Sequence, residues 1–217
     1  MKLYQYHHCP FCVRVDMIAN YKEIPHEKVY LLNDDEETCL TLTNAKKAPI
    51  LEHSDGTTLS DNLLIAKHLD TIGDPRKVIR GEANSINQPS PLKEVEQAIR
   101  CLVFPRIILL GLPEFATQSA RDHFQSKKEK DLQQSFENAL LDSSKYKKQV
   151  EQALNALPPL SLPSDHNNTI SWDDILLFPI LRSLTMVSGL LFPEPIQRYL
   201  EEVSRITSIH TYTDFEI

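Results

Sequence analysis

The alternating run Lys2-Leu3-Tyr4-Gln5-Tyr6 leads into Cys9-Pro10-Phe11-Cys12, and beyond that motif Val13, Met17 and Tyr21 recur at helical spacing. A strand, a turn, a Cys-x-x-Cys pair and a helix in that order restrict the fold more than any other stretch of the chain. The pattern predicts a strand over 2–6 and a helix over 11–21. Both thiols then project from the first helical turn, where they can stand as a dithiol or close a small disulfide ring. Cys9 takes the N-cap and Pro10 the first helical position, where a missing N–H costs nothing. The free amides of Phe11 and Cys12 point towards the Cys9 sulfur, with the positive end of the helix dipole behind them. Such surroundings lower a cysteine pKa from about 8.5 to roughly 3.5–7.5. Cys9 is therefore the expected nucleophile and Cys12 the resolving thiol. A zinc site is the competing assignment, with His7 and His8 as further ligands. A structural zinc site usually brings a second pair at comparable spacing, and Cys39 and Cys101 lie far from each other.

The 217 residues, 41% hydrophobic and 24% charged, suffice for one large or two small domains, each with its own core. A formal net charge of −7 argues against general nucleic-acid binding. No apolar run approaches the roughly 20 residues that span a bilayer, and the chain opens in a strand rather than the apolar core of a secretory signal. Four cysteines, two of them in one motif, make no disulfide framework, which fits a reducing compartment. A cytoplasmic location, with neither nucleic-acid nor membrane partners, is expected.

Beyond the first helix, 27–32 reads as a second strand, so that strand, helix and strand form a right-handed parallel crossover. The acidic run Asn33-Asp34-Asp35-Glu36-Glu37 suits the start of a short helix over 36–44, and Cys39 on it reads as a packed thiol. Ala48-Pro49 precedes a strand and is compatible with either peptide isomer. Asp55-Gly56 between Ile50-Leu51-Glu52 and Thr57-Thr58-Leu59 signals a two-residue hairpin. Ser60, Asp61 and Asn62 offer three capping residues for a helix that ends near Gly73. The order β-α-β-α-β-β-α implies a mixed sheet over 1–73, followed by a linker over 74–91.

From residue 92 onward the chain turns helical. Leu92, Val95, Ile99, Leu102 and Val103 form a stripe, and Pro105 predicts a kink or break. Further helices are expected over 119–130, over a segment in which Leu132, Phe136 and Leu140 share a face, and through Val150, Leu154 and Leu157. Ser171 and Asp174 have capping-box spacing, flanked by Ile170 and Ile175 as a hydrophobic staple. A final helix over 195–206 completes an all-α domain spanning 92–217.

Taken together, these features resemble the glutathione-transferase-fold glutaredoxins of the bacterial glutaredoxin 2 type. The likeness covers essentially the whole chain: Met1-Lys2-Leu3-Tyr4, His8-Cys9-Pro10-Phe11-Cys12, Leu31-Leu32-Asn33-Asp34-Asp35, Ala48-Pro49-Ile50-Leu51, and Asp174-Ile175 with Leu177-Phe178-Pro179. It implies an α/β thioredoxin-like N-terminal domain docked on an all-α C-terminal domain, and glutathione-dependent thiol-disulfide exchange without a metal. Cys9 matches the family's nucleophile and Cys12 its resolving cysteine. Pro49 matches a cis-proline facing the motif, and Ala48 the residue whose backbone pairs with the cysteinyl part of glutathione. Pro10 and Phe11 complete that side of the expected site. Asp61 and Asn62 fall where the family commonly has Glu and Ser to hold the γ-glutamyl end.

Three departures stand out: Phe11 in place of tyrosine, Asn62 in place of serine, and Asp61 one methylene shorter than glutamate. The implied partners are glutathione, glutathionylated or disulfide-containing proteins and, indirectly, glutathione reductase with NADPH. A groove between the domains would receive the substrate next to Cys9. Two alternative functions remain beside this one. The first is a transferase conjugating glutathione to electrophiles, since fold does not dictate chemistry. The second is a non-enzymatic zinc module built on the Cys-x-x-Cys pair.

Overall fold

In the computed structural model, which describes residues 1–81 and 90–217, the first strand and helix form as the periodicity predicts. β1 (Lys2–Gln5) runs into α1 (Pro10–Tyr21), and β2 (Glu27–Tyr30) returns parallel to β1, pairing Lys2 with Glu27 and Gln5 with Tyr30. α2 (Glu36–Thr43) is capped by Asp35, whose carboxylate accepts from the Thr38 amide at 3.0 Å. β3 (Ile50–Glu52) lies antiparallel to β1, and β4 (Thr58–Leu59) antiparallel to β3, giving the sheet order β2-β1-β3-β4. The expected hairpin forms with a longer loop, over 53–57 rather than two residues. The Asp55 side chain accepts from both the Thr57 amide (2.9 Å) and its hydroxyl (2.7 Å), closing a side-chain turn within that loop.

Of the three capping candidates, Asp61 caps α3 (Asn62–Ile72) through hydrogen bonds from the Leu63 and Leu64 amides, both 2.9 Å. α3 ends at Gly73, where a Cβ would come within 2.5 Å of Lys22 Cβ, so only glycine admits the close approach of the ends of α1 and α3. The peptide bond between Ala48 and Pro49 is cis. The linker expected over 74–91 lies in part outside the described residues.

The helical region comprises α4 (Ser90–Glu94), α5 (Glu96–Ile107), α6 (Gln118–Leu132), α7 (Phe136–Leu141), α8 (Ser143–Asn155), α9 (Trp172–Leu184) and α10 (Glu194–Thr207). Of the kink or break expected at Pro105, the break does not occur: α5 runs past it to Ile107. The proline is buried, and the neighbouring Arg106 guanidinium holds the turn by donating to the Leu102 and Ile217 carbonyls, both at 2.8 Å. The face expected to join Leu132, Phe136 and Leu140 is divided between two helices. Gln133 adopts a left-handed conformation that ends α6, and Ser135 caps α7. Leu157 lies beyond the end of α8.

At the start of α9 the capping box is complete: the Ser171 amide donates to Asp174 at 2.7 Å, and the Asp174 amide to Ser171 Oγ at 3.2 Å. Ile170 and Ile175 on either side are fully buried, as a staple requires. The box also anchors the segment arriving from the sheet, because the Arg80 amide donates to the Ile170 carbonyl (2.9 Å) and the Trp172 amide to the Arg80 carbonyl (3.0 Å).

The architecture is a thioredoxin-like α/β unit followed by an all-α unit, and α1 is the element they share. It packs on α3 at one side and on α9 and α10 at the other. Met17, Ile18 and Ile65 from the first unit lie in one continuous buried cluster with Phe178, Leu181 and Tyr199 from the second. On the opposite face of the sheet, Leu31, Cys39 and Ile50 make a smaller cluster, so Cys39 is a core thiol as expected. Replacing Ser171 by Ala removes one half of the capping box and is expected to lower stability by about 1 kcal/mol. Chemical denaturation of the variant and the parent measures that difference.

Candidate active site

Backbone geometry sets the two cysteines apart. Cys9 is the N-cap of α1 in extended conformation (φ −71°, ψ 120°), with Pro10 following. Its amide donates to the Tyr6 carbonyl at 3.3 Å, which closes the turn out of β1. Cys9 is half-buried at the domain groove, whereas Cys12 is fully buried and its sulfur accepts from the Tyr6 amide at 3.4 Å. One sulfur is thus accessible from outside while the other reaches only inward.

Their acidities diverge in the same sense. The Cys9 thiol is brought down from 9.0 to about 6, chiefly by the Cys12 thiol as hydrogen-bond donor. Burial opposes that shift, and the charge of His8 and the amides of Cys12 and Phe11 reinforce it. Cys12 is pushed well above the usual thiol range by burial and then by the hydrogen bond and charge of Cys9. A proton shared between the two sulfurs therefore resides on Cys12, leaving Cys9 as thiolate.

The groove in front of Cys9 encloses about 400 Å³ and is lined by Phe11, Ile99, Phe104, Phe124 and Ile180 among others. Phe11 is 49% exposed, and the Arg14 guanidinium lies over its ring at 5.0 Å. The two histidines ahead of the motif are engaged elsewhere. His7 Nδ1 lies 3.1 Å from the Tyr212 hydroxyl, and the Arg182 guanidinium donates to the His7 carbonyl at 3.1 Å. Burial, with Arg182, pushes the His7 ring down to about 4. His8 Nδ1 lies 2.6 Å from Glu114 Oε1. Among the described residues no group of three or more His, Cys, Asp or Glu side chains is placed to hold a metal ion.

The strand register carries Ala48-Pro49 to the motif. Tyr4 pairs with Ile50, so continuing the antiparallel ladder sets Pro49 opposite Gln5 and Ala48 opposite Tyr6, where β1 gives way to the thiol turn. Asp61 and Asn62 sit at the first turn of α3. Asp61 Oδ1 is committed to capping, while Asn62 Oδ1 is buried with no hydrogen-bond partner among the described residues. Two residues next to the site escaped the sequence reading: Glu114, in a single 3-10 turn (Pro113–Phe115), and Arg182 on α9. The one local signal for either is a lone charge set among apolar neighbours, Leu112-Pro113-Glu114-Phe115 and Ile180-Leu181-Arg182.

Comparison with known proteins matches residues 90–215 to the family described as glutaredoxin 2, C-terminal domain, and residues 3–77 to the glutathione S-transferase N-terminal domain. Glutaredoxin 2 of Escherichia coli strain K12 is 34% identical over 218 residues, covering 100% of both chains. The chain belongs to the glutaredoxin 2 family. Membership makes it a glutathione-dependent oxidoreductase. The crystal structure of Salmonella typhimurium glutaredoxin 2 in complex with glutathione superposes with a TM-score of 0.89 at 35% identity, over 100% of this chain and 98% of that one. A glutathione transferase from Phanerochaete chrysosporium, GSTFuA2, shares the fold at a TM-score of 0.62 and 12% identity, over 97% and 98% of the two chains.

The contrast in thiol acidity has a direct readout. Alkylation of Cys9 in the reduced protein should rise with a midpoint at about pH 6, while Cys12 stays unmodified through neutral pH. The same shift links to stability. The folded value lies below the ordinary one, so the thiolate stabilises the reduced fold above the usual thiol range. That contribution is lost as pH falls from about 9 to about 6. Mass spectrometry of alkylated peptides across that range tests the assignment, and a Cys9 midpoint near 9 would refute it.

Proposed function

We propose that the chain reduces glutathionyl mixed disulfides and protein disulfides through Cys9 and Cys12, with glutathione as reductant. The observation that carries this reading is the pairing of a half-exposed, acidified Cys9 with a buried Cys12 that keeps the proton.

For a glutathionylated protein, the Cys9 thiolate attacks the glutathione sulfur of the mixed disulfide. A Cys9–glutathione disulfide forms and the protein thiolate leaves. A second glutathione thiolate then attacks the sulfur of the bound glutathione, which releases oxidised glutathione and returns Cys9 as thiolate. For a protein disulfide, Cys9 forms the mixed disulfide, and Cys12 attacks Cys9 to close the internal bond and expel the second protein thiolate. Two glutathione molecules in sequence reopen that bond and leave as oxidised glutathione. Part of what raises Cys12 is the charge and hydrogen bond of Cys9. Both vanish once Cys9 is in a mixed disulfide, so Cys12 becomes easier to ionise at the step that uses it.

The glutathione site in this reading runs from the Ala48 backbone to the start of α3. The Ala48 amide and carbonyl make no hydrogen bond among the described residues, which leaves a strand-like edge for the cysteinyl unit. The unpartnered Asn62 Oδ1 suits the γ-glutamyl ammonium, and the Asn62 amide, ahead of the Leu63 and Leu64 amides that Asp61 occupies, suits the adjoining carboxylate with the dipole of α3 behind it. Asp61 caps α3 through Oδ1, which leaves Oδ2 for the γ-glutamyl end. Pro10, Phe11 and Pro49 form the walls around the sulfur. Electrophile conjugation needs the sulfur of bound glutathione activated by a Ser or Tyr donor, whereas here the acidified Cys9 occupies that neighbourhood and favours exchange. No helix among the described residues is long and apolar enough to cross a membrane. Together with the free thiols, this fits action in a reducing compartment such as the cytoplasm, where glutathione reductase and NADPH regenerate the reductant.

Turnover of a glutathione mixed disulfide, coupled to glutathione reductase and NADPH, tests the reading. Cys9→Ser should abolish activity, whereas Cys12→Ser should retain the monothiol route and lose reduction of protein disulfides. Full activity without Cys9 would sink the assignment. Asn62→Ala should raise the KM for glutathione about tenfold, the cost of roughly one hydrogen bond to a charged group, with the Cys9 alkylation midpoint unmoved.

A further inference from the structure

We infer that Glu114, supplied by the helical domain, is a positioning residue for the reaction: its carboxylate holds the His8 ring as the positive partner of the Cys9 sulfur. The inference rests on the reading of Cys9 as the reacting thiolate.

The geometry is specific to that task. Glu114 is fully buried, and its Oε1 accepts from the His8 backbone amide at 2.9 Å and lies 2.6 Å from His8 Nδ1. The Asn33 amide donates to the Glu114 carbonyl at 2.9 Å, so the 3-10 turn is stitched to the thioredoxin-like unit through side chain and backbone together. Oε2 is buried without a hydrogen-bond partner among the described residues, so the ring is the compensating group for a carboxylate taken fully out of water. Burial alone would push Glu114 up, yet the hydrogen bond and charge of His8 hold it below the usual carboxylate range. The Phe115 and Phe124 rings, with centroids 5.1 and 5.4 Å from that of His8, fix the imidazole from the other side.

Most other charges around the motif are already engaged: Glu96 pairs with Arg100 and Lys128 with Asp131, each along its own helix. Arg14, which lies over Phe11 with Nε buried and unpartnered among the described residues, is the second cation whose charge meets Cys9. Arg182 is taken up by His7 and the His210 carbonyl. Tyr6 and Cys12 are both held neutral by burial and by the neighbouring sulfurs. His8 is the ring whose charge acts on Cys9, beside the Arg14 guanidinium, and it is the one of the two that Glu114 holds.

A carboxylate near a thiolate can act in two opposed ways, and the sign separates them. Acting directly, its negative charge disfavours the thiolate, and removing it makes Cys9 more acidic. Acting through His8, it secures a positive charge beside the sulfur, and removing it makes Cys9 less acidic. Glu114→Gln keeps an acceptor for the His8 amide and ring but deletes the charge, so a merely structural tie between the units survives the change.

The experiment is the pH dependence of Cys9 alkylation in the parent, Glu114→Gln, His8→Asn and the double variant. The expected result is a parent midpoint at about 6, raised by about one unit in Glu114→Gln, with alkylation about tenfold slower below both midpoints. In the His8→Asn background, Glu114→Gln should bring no further rise. An unmoved or lowered midpoint in Glu114→Gln, or an equal rise when His8 is already replaced, overturns the proposal.

A parent that titrates in the ordinary thiol range overturns the Cys9 reading and this proposal together, whereas a parent near 6 with an unmoved Glu114→Gln overturns the role of Glu114 alone. Should Glu114→Gln fail to fold, ¹⁵N spectra of the His8 ring in the parent decide. Protons on both Nδ1 and Nε2 at neutral pH support the charged contact, and a ring with either nitrogen bare overturns it.

Discussion

A thiolate at the N-terminus of a buried helix is the arrangement on which the rest of the molecule turns. α1 begins at Cys9 and is buried along most of its length, so its first turn cannot shift without disturbing α3, α9 and α10 together. That rigidity keeps the amides of Phe11 and Cys12 near enough to reinforce the acidity of Cys9, although no capping hydrogen bond reaches its sulfur. A flexible turn would let water and rotamer freedom average the field away. The low-dielectric surroundings that strengthen these dipoles would penalise an unsupported charge just as strongly. Support comes from Cys12 and His8, each itself held by a hydrogen bond, from the Tyr6 amide and to Glu114 respectively.

The helical domain contributes more than bulk. It forms one side of the groove before Cys9 with Phe104, Phe124 and Ile180, and it closes the other face of α1 with the buried cluster around Phe178 and Tyr199. It also sends polar groups across the boundary. Arg182 and Tyr212 engage His7, and Glu114 engages His8, so both residues ahead of the motif are held from the second unit. A thioredoxin-like unit alone would leave these two imidazoles at a solvent-exposed loop. The same chemistry of sulfur exchange is thereby set in a different electrostatic frame, with no change to the motif itself.

Where local rules and structure part company, the cause is packing. Pro105 lies inside α5 because burial and the hydrogen bonds of Arg106 outweigh the amide that the ring lacks. α6 and α7 divide at Gln133, although the apolar spacing from Leu132 to Leu140 reads as one helix, because capping by Ser135 and the hydrogen bond from the Phe136 amide to Glu129 (2.8 Å) stabilise a fresh start. Asp61 serves as a cap because its short side chain folds back onto the Leu63 and Leu64 amides.

Sequence by itself determined the elements whose causes are local. The strand-turn-helix around Cys9, the Pro10 helix start, the acidic start of α2 and the Ser171–Asp174 box each depend on residues within a few positions of one another, and each forms as expected. The acidity of Cys9 was legible in part for the same reason, since the first-turn amides reinforce a shift whose largest cause is the Cys12 thiol. Only the tertiary structure decided the isomer of Ala48-Pro49, the fate of Pro105 and the identity of the groups behind the thiolate. Glu114 stands 106 positions from His8 along the chain, and no spacing rule links them. Their contact exists because α1 packs on the helical domain and brings a buried carboxylate to the one ring that can compensate it.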